Sequence, residues 1–321
     1  MTWGGDLDRV PVCPPYQGYW ALKLAGMGIA ESIEHPDRAA AAQVAAAREC
    51  GFDGYEMAWD LFAAVQALGC EVKFLDSGTV STVGTIIDSP GDADRICVPD
   101  LRNDARLQSS LGSAREIMEM DGESMLYVTM CAPLSLVGEL RGLENLLMDS
   151  LIDEGLVIEM LEGALECVLG YCREYLDLGP DMVSFTDPTA SGALISLDHF
   201  RKFSLPYVRR CSDEVRSWGA RSMVRIYGDE RLEDTDSIGA DVYSLDTSVT
   251  LAEACRTVRG ALLGNVDPIR LIYSGSEEDV RREVDHILSD SRSKGFILGA
   301  GGDIAPGSPL PNVKALRTAR Q

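Results

Sequence analysis

Met223-Val-Arg-Ile-Tyr-Gly-Asp229 and Phe296-Ile-Leu-Gly-Ala-Gly-Gly-Asp303 are the two stretches that best indicate the fold. Each is a short apolar run that stops abruptly at glycine and aspartate. Buried parallel strands show this pattern, because both faces of the sheet are covered and polar groups begin only at the carboxyl end. The two stretches therefore predict strands that deliver polar side chains to a shared pocket.

The rest of the chain alternates short strand-like runs with longer amphipathic patterns, which is typical of repeated βα units. This alternation predicts an α/β fold, a single (β/α)8 TIM barrel over residues 1–321, and favours it over two smaller domains. Residues 1–45 are expected to supply an N-terminal strand and a loop that covers the barrel. The eight predicted strands are Arg9 to Cys13, Gly54 to Ala58, Ser124 to Met130, Met182 to Thr186, Ser222 to Tyr227, Asp241 to Leu245, Ala261 to Val266 and Gly295 to Gly299.

Helices are predicted between the strands, with long amphipathic patterns over residues 143–178 and 196–218. Residues 87–112 are rich in Asp, Pro and Gly, so this segment is expected to be irregular. We find no low-complexity linker or internal repeat in the sequence, which supports the prediction of one domain.

Composition limits the classes of partner. The chain has 51 acidic and 29 basic residues and a net charge of −22, which repels nucleic acid and anionic membrane surfaces. Its nine cysteines follow no paired spacing and are expected to be buried, reduced thiols. No secretory signal or bilayer-spanning apolar run is recognisable in the sequence. We therefore expect a cytoplasmic protein that binds neither nucleic acid nor a membrane.

Acidic and polar residues follow most of the predicted strands. In a (β/α)8 barrel the active site is built from the loops at the carboxyl ends of the strands. An aspartate at such a position can also cap the next helix, but so many acids on one rim favour a polar, proton-exchanging pocket. The candidates are Tyr16, Asp60, Cys131, Asp187, Tyr227, Asp229, Asp246, Asn265 and Asp303.

Several short motifs appear in order along nearly the whole chain. They are Asp8-Arg-Val-Pro-Val12, Trp59-Asp-Leu61, Ser184-Phe-Thr-Asp-Pro188, Phe203-Ser-Leu-Pro206, Gly264-Asn-Val-Asp-Pro268 and Ser308-Pro-Leu-Pro-Asn312. In this order and spacing they resemble the uroporphyrinogen decarboxylase superfamily, and within it the cobalamin (corrinoid)-dependent methyltransferase branch. The resemblance implies a (β/α)8 barrel, a corrinoid cofactor carried by a partner protein, and a small-molecule methyl donor or acceptor.

The same branch implies a zinc site whose ligands are replaced in this sequence. Its members carry a His-x-Cys at the end of one strand and a Cys in a late Gly-Cys turn, and the zinc lowers the pKa of a substrate thiol. The corresponding positions here are Arg225, Tyr227 and Gly302. Guanidinium has no free lone pair and glycine has no side chain, so zinc is not expected at these positions. A hard cation held by carboxylates is the alternative, and its candidate ligands are Asp187, Asp229, Asp246 and Asp303.

The predicted catalytic residues are Asp60, Asp187, Arg225 and Tyr227. Arg225 either neutralises the acids around it or binds a carboxylate or phenolate of the substrate through two hydrogen bonds. Tyr227 either protonates a leaving oxygen or nitrogen or only lines the pocket. By the resemblance, Asp60 aligns with the acid that porphyrinogen decarboxylases use to protonate the pyrrole. The predicted substrate-binding residues are Tyr16, Cys131, Asp229, Asp246, Asn265 and Asp303.

Three functions remain as hypotheses. The first is a corrinoid-dependent methyltransferase, a transferase that works without the usual zinc. The second is a uroporphyrinogen decarboxylase-like lyase that uses Asp60 as proton donor, although residues 14–20 lack the arginine that a polycarboxylate tetrapyrrole would require. The third is a non-catalytic binding module.

Overall fold

A curled, parallel, seven-stranded sheet forms the centre of the computed structural model, which describes residues 9–58, 60–291 and 295–317. The strands lie in the order β1-β4-β5-β6-β7-β8-β9, and β2 and β3 form a separate antiparallel hairpin. The strands are β1 (Gly54–Ala58), β2 (Glu71–Phe74), β3 (Val80–Val83), β4 (Met125–Cys131), β5 (Met182–Thr186), β6 (Arg221–Ile226), β7 (Val242–Leu245), β8 (Ala261–Val266) and β9 (Phe296–Ala300).

The segment around Val12 fills the gap between the two edge strands of the sheet. Val12 forms a parallel bridge with Leu298 of β9, and the Cys13 amide donates to the Leu298 carbonyl at 2.9 Å. On the other side, the amide of Asp53, just before β1, donates to the Val12 carbonyl at 2.8 Å. This segment takes the eighth position in the barrel, so the predicted α/β fold with a TIM-type barrel is confirmed. The predicted strand Arg9 to Cys13 is wrong as a full strand, because only Val12 forms a bridge.

Helices surround the sheet and connect successive strands. Three of them, α1 to α3, precede β1, and the others follow in the connections or after β9. They are α1 (Gly18–Leu24), α2 (Ile29–Glu34), α3 (Pro36–Cys50), α4 (Ala63–Ala67), α5 (Ala105–Met120), α6 (Pro133–Arg141), α7 (Leu143–Ile152), α8 (Glu154–Leu176), α9 (Leu197–His199), α10 (Leu205–Ser217), α11 (Leu232–Asp236), α12 (Leu251–Thr257), α13 (Glu277–Asp290) and α14 (Leu310–Lys314).

Three details of the sequence prediction differ from the structure. The segment 87–112 is not wholly irregular, because Asp104 accepts hydrogen bonds from the first turn of α5 and starts that helix inside it. The pattern over 143–178 is broken at Asp153, whose side chain caps α8. The β2–β3 hairpin was missed, because its strands are mostly solvent-exposed and lack an apolar run. Residues 1–8, and with them Asp8, lie outside the described residues, as does Trp59.

The interior of the barrel has an apolar floor and a polar layer above it. The floor is a separate cluster of buried side chains that includes Met182, Met223, Val242 and Leu263. Side chains alternate across a strand, so the residue two positions further along points into the same interior. That rule places Ser184, Arg225, Ser244 and Asn265 directly above the floor, on the side where the strands end.

Candidate active site

Arg225 is the central cation of the barrel interior. Its side chain is only 5% exposed, and its Nη2 donates to Asp246 Oδ2 at 3.1 Å and to the Gly301 carbonyl. The guanidinium carbon lies 5.3 Å from the ring centroid of Tyr16 and 5.4 Å from that of Tyr227. Burial alone would lower the pKa of Arg225, but the tyrosines and Asp246 raise it, so the group stays charged. The structure therefore fixes a permanent positive charge between two aromatic rings.

Tyr16 and Tyr227 hold this cation from two sides. The Tyr227 hydroxyl lies 2.8 Å from Thr186 Oγ1 and accepts a hydrogen bond from the Asp187 amide at 3.1 Å. Tyr16 is the one non-glycine residue with a positive φ (56°) in the described part of the chain, a conformation that tyrosine adopts at some cost. Burial raises the pKa of both phenols while Arg225 opposes the rise, so both are neutral at pH 7.

The three positions that the resemblance indicates as zinc-ligand positions, Arg225, Tyr227 and Gly302, lie close together in space. Arg225 and Tyr227 point from β6 into the interior, and a Cβ atom built on Gly302 would lie 3.5 Å from Arg225 Nη2. The guanidinium thus occupies the space between these positions, and none of the three offers a lone pair suited to zinc. Among residues 9–58, 60–291 and 295–317, no group of three or more His, Cys, Asp or Glu side chains is arranged to hold a metal ion.

Asp246, Asn265 and Asp303 line the mouth around this centre. The other carboxylate oxygen of Asp246 accepts hydrogen bonds from the amide (2.9 Å) and hydroxyl (2.7 Å) of Ser248. Burial opposes ionisation of Asp246, but these bonds and Arg225 lower its pKa overall. Asn265 donates to the carbonyl groups of Asp246 (3.2 Å) and Val249 (2.9 Å). Asp303 is exposed to solvent, although many protein atoms surround its carboxyl group. The resulting partial desolvation raises the pKa of Asp303, and the charge of Arg225 opposes the rise.

Asp187 lies next to this group, but its side chain is directed to the helices. Its Oδ1 accepts from Ser135 of α6 and its Oδ2 from Ser204, just before α10, each at 2.5 Å. Burial raises the pKa of Asp187 to about 6, and the two serine hydroxyls oppose the rise. It follows Thr186, which faces the interior, by one residue, so strand alternation accounts for the different direction. Its catalytic role stays a prediction.

Asp60 is held in a buried ion pair. Arg106 of α5 donates from Nη2 to Asp60 Oδ1 at 2.7 Å and from Nε to Oδ2. The two side chains are 5% and 6% exposed, and Arg106 also donates to Gln66 at 2.8 Å. The sequence did not identify Arg106 as a partner, because it lies far from Asp60 along the chain. The role of Asp60 as a proton donor stays a prediction.

Asp229 and Cys131 are the remaining predicted site residues. Asp229 is exposed, and its two carboxylate oxygens accept from the amide and the hydroxyl of Thr250, each at 2.7 Å. Cys131 ends β4 and is half-buried, and burial raises the pKa of its thiol well above the usual value. Strand alternation places Cys131 on the interior side with Thr129. Asp229 is therefore tied to the loop before α12, whereas Cys131 lies in the wall of the barrel.

Glu56 is an interior acid that sequence reasoning missed. It lies in the middle of β1, where all five residues are buried, and is 1% exposed. The signal was a charged residue inside an otherwise apolar strand, which is rare unless the group has a partner or a function. Glu56 belongs to the same polar layer as Thr129, whose hydroxyl donates to its Oε1.

Comparison with known families gives an independent result for the whole chain. The family model described as uroporphyrinogen decarboxylase (URO-D) matches residues 1–321. The chain belongs to the uroporphyrinogen decarboxylase family. This agrees with the resemblance that the sequence motifs indicated.

The similar relatives include methyltransferases and also uroporphyrinogen decarboxylases, such as that of an Anaeromyxobacter species, which is 24% identical over 97% of this chain. A methylated-thiol–coenzyme M methyltransferase of Methanosarcina mazei is 26% identical over 97% of this chain and 84% of its own length. The methylcobamide:CoM methyltransferase MtaA of Methanosarcina barkeri is 26% identical over 99% of this chain and 94% of its own. A solved methyltransferase structure from Methanosarcina mazei covers 98% of this chain and 94% of its own, with a TM-score of 0.85 and 23% identity, which supports the fold.

None of the helices in the described ranges combines the length and the apolar character needed to cross a bilayer.

Proposed function

We propose that this chain is a methyltransferase that moves a methyl group between a small molecule and the corrinoid cofactor of a partner protein, without the family's zinc. The full-length similarity to methylcobamide:CoM methyltransferases supports methyl transfer. The zinc-independent form rests on the position of Arg225. Its guanidinium carbon lies 5.4 Å from the ring centroid of Tyr227, and a Cβ atom built on Gly302 would lie 3.5 Å from its Nη2. We also propose that the chain is a single barrel unit that acts in the cytoplasm.

Arg225 can do part of what a metal does, but not all of it. A fixed guanidinium stabilises negative charge that develops on oxygen, and its Nη1 is buried with no hydrogen-bond partner among the described residues. Its charge can lower the pKa of a nearby thiol, but it cannot coordinate the sulfur as zinc does. The site therefore favours a methyl donor or acceptor that reacts through oxygen or nitrogen.

A methyl ether illustrates the proposed reaction. Breaking the bond between the oxygen and the methyl carbon leaves its electron pair on the oxygen, and the reduced corrinoid of the partner, when bound, would supply the nucleophile that accepts the methyl group. In this proposal Arg225 stabilises the charge left on the oxygen, and the neutral Tyr227 hydroxyl supplies a proton to it. In the reverse direction the same groups hold the accepting oxygen. Asp303 and Asn265 are proposed to contact the substrate at the mouth.

The decisive experiment mixes purified protein with cob(I)alamin, or with methylcobalamin for the reverse direction, and follows the cobalamin absorption spectrum. The substrates are methyl ethers and methylamines, each tested with and without a carboxylate group. Wild type should convert a member of the panel, and Arg225→Ala should lower the rate about 10²-fold or more. Arg256→Ala, at an exposed arginine, is the matched control.

Three outcomes would reject the proposal. Stoichiometric zinc in wild-type protein, measured by elemental analysis, would remove its zinc-independent form. Binding of panel members without any methyl transfer would leave a binding module, and release of carbon dioxide that Asp60→Asn abolishes would indicate the lyase.

A further inference from the structure

Glu56 is a buried acid with no basic partner among the residues that the structure describes. Thr129 donates to its Oε1, but its Oε2 has no hydrogen-bond partner in the described part of the protein. The backbone N–H groups of Gln17 and Gly18 lie near the carboxyl group without completing a hydrogen bond of normal geometry. The backbone N–H of Glu56 does have a partner. It donates to the side-chain oxygen of Gln17 at 3.1 Å when the Gln17 side-chain amide is in its favoured orientation. The main chain of Glu56 is therefore fixed in the strand, and its carboxyl oxygen Oε2 is buried without a hydrogen-bond partner among the described residues.

The surroundings of Glu56 favour its neutral form. The titratable groups that bear on its charge are Asp303, Tyr19, Tyr127 and Cys13, of which none is a cation. Burial raises the pKa of Glu56 to about 8, while the hydrogen bond from Thr129 opposes the rise. At pH 7 the open Oε2 can therefore carry a proton and act as a donor.

Other polar atoms of the barrel interior are also buried without a hydrogen-bond partner among the described residues. Ser184 Oγ, Ser244 Oγ and Arg225 Nη1 are buried and have no hydrogen-bond partner within the described ranges. The hydroxyls of Tyr16 and Ser184 lie close together, although neither completes a hydrogen bond of normal geometry. Buried polar groups nearly always have partners, and several open ones on a single interior wall indicate a polar ligand.

We propose that Glu56, in its neutral form, donates its O–H group to an uncharged oxygen or nitrogen of the small-molecule substrate, while Arg225 binds an anionic oxygen of the same molecule. The proposal rests on the proposed function, because the molecule is the methyl donor or acceptor. It narrows the substrate to monoanions that also carry a neutral acceptor, such as methoxy-carboxylates. A second anionic group is disfavoured, because it would meet Asp303 and a carboxyl group that has no cation to pair with.

The test measures binding of 4-methoxybenzoate, methoxyacetate and 3-methoxypropanoate, three monoanions with a neutral ether oxygen, by calorimetry as the pH is raised. Wild-type affinity should be constant up to a pH near 8, the pKa of Glu56, and then fall about tenfold per pH unit as the donor is lost. Glu56→Gln keeps an N–H donor of similar shape and does not ionise, so its affinity should stay constant. Glu49→Gln, at an exposed glutamate paired with Lys314, is the matched control and should behave as wild type.

Wild-type affinity that does not change with pH would overturn the proposal, as would an alkaline fall that persists in Glu56→Gln, or failure of all three probes to bind. A second measurement needs no variant. Infrared difference spectroscopy should show a neutral carboxylic acid C=O band that shifts when the probe binds, and an unshifted band overturns the proposal. Binding that depends on pH without methyl transfer would reject the proposed function alone. Methyl transfer with pH-independent binding would reject only the role of Glu56.

Discussion

Replacing Glu56 by glutamine should stabilise the protein relative to wild type, and by more as the pH rises. The folded-state pKa of Glu56 is raised from 4.5 to about 8, so between these values the folded protein keeps a proton that the unfolded chain releases. Wild-type stability therefore decreases as the pH rises through this window. Glutamine does not titrate, so the variant lacks this decrease.

The magnitude follows from the pKa difference. Each pH unit within the window lowers the free energy of unfolding of wild type by about 1.4 kcal/mol through this group. From a pH near 4.5 to pH 7 the accumulated loss is about 3 kcal/mol, and near pH 8 it reaches about 5 kcal/mol. Since Glu56 is 1% exposed, solvent screening does little to reduce these values.

Urea unfolding followed by circular dichroism at several pH values between about 5 and about 8 measures the effect. The difference in unfolding free energy between Glu56→Gln and wild type should grow steadily over this range. Glu49→Gln should show no such growth, because Glu49 is exposed and the pKa of its carboxyl is lowered by Lys314 rather than raised. A difference that stays constant with pH would refute a neutral, buried Glu56.

The remaining predictions concern the other charged side chains of the barrel. Arg225→Ala should lower the melting temperature at neutral pH as well as the rate, because Asp246 loses its buried cation; a higher melting temperature would contradict this. Asp187→Asn should lower the free energy of unfolding by about 1–3 kcal/mol in a urea titration, because one serine hydroxyl then faces an amide nitrogen. Turnover should fall by about 10²-fold or more, as the predicted catalytic role requires, and a fall of less than tenfold would reduce Asp187 to a structural acid. Asp60→Asn should cost about 3–5 kcal/mol in the same titration by leaving Arg106 buried and unpaired, and an unchanged midpoint would contradict this.

The strands could be predicted from the sequence because each is an apolar run that ends at a polar residue. Gly54–Ala58, Met182–Thr186 and Ala261–Val266 have the predicted ends, β7 starts one residue late, and β4, β6 and β9 are each shifted by one residue at both ends. The β2–β3 hairpin gave no such signal, because it rests on the surface rather than in the core. A parallel strand can be recognised in a sequence because burial on both faces makes it a continuous apolar run.

Strand alternation predicted only those site residues that lie on the same strand as a known interior residue. Met223, Arg225 and Tyr227 alternate along one strand, so one interior residue identifies the others. The partner of Asp60 could not be predicted, because Arg106 arrives from a helix after an intervening hairpin. Glu56 could have been noticed as a charge within a buried strand, but its open oxygen and the absence of a facing cation depend on how the strands close around it.

An arginine at the position where the resemblance indicates a metal ligand bears on what the barrel can bind. A zinc ion accepts lone pairs from sulfur and carries two charges, whereas a guanidinium donates hydrogen bonds and carries one. With Asp246 paired to Arg225 and Glu56 neutral, a single negative charge on the substrate can still be accommodated beside the guanidinium. We therefore propose that the polar layer of this chain favours a molecule that presents oxygen to Arg225.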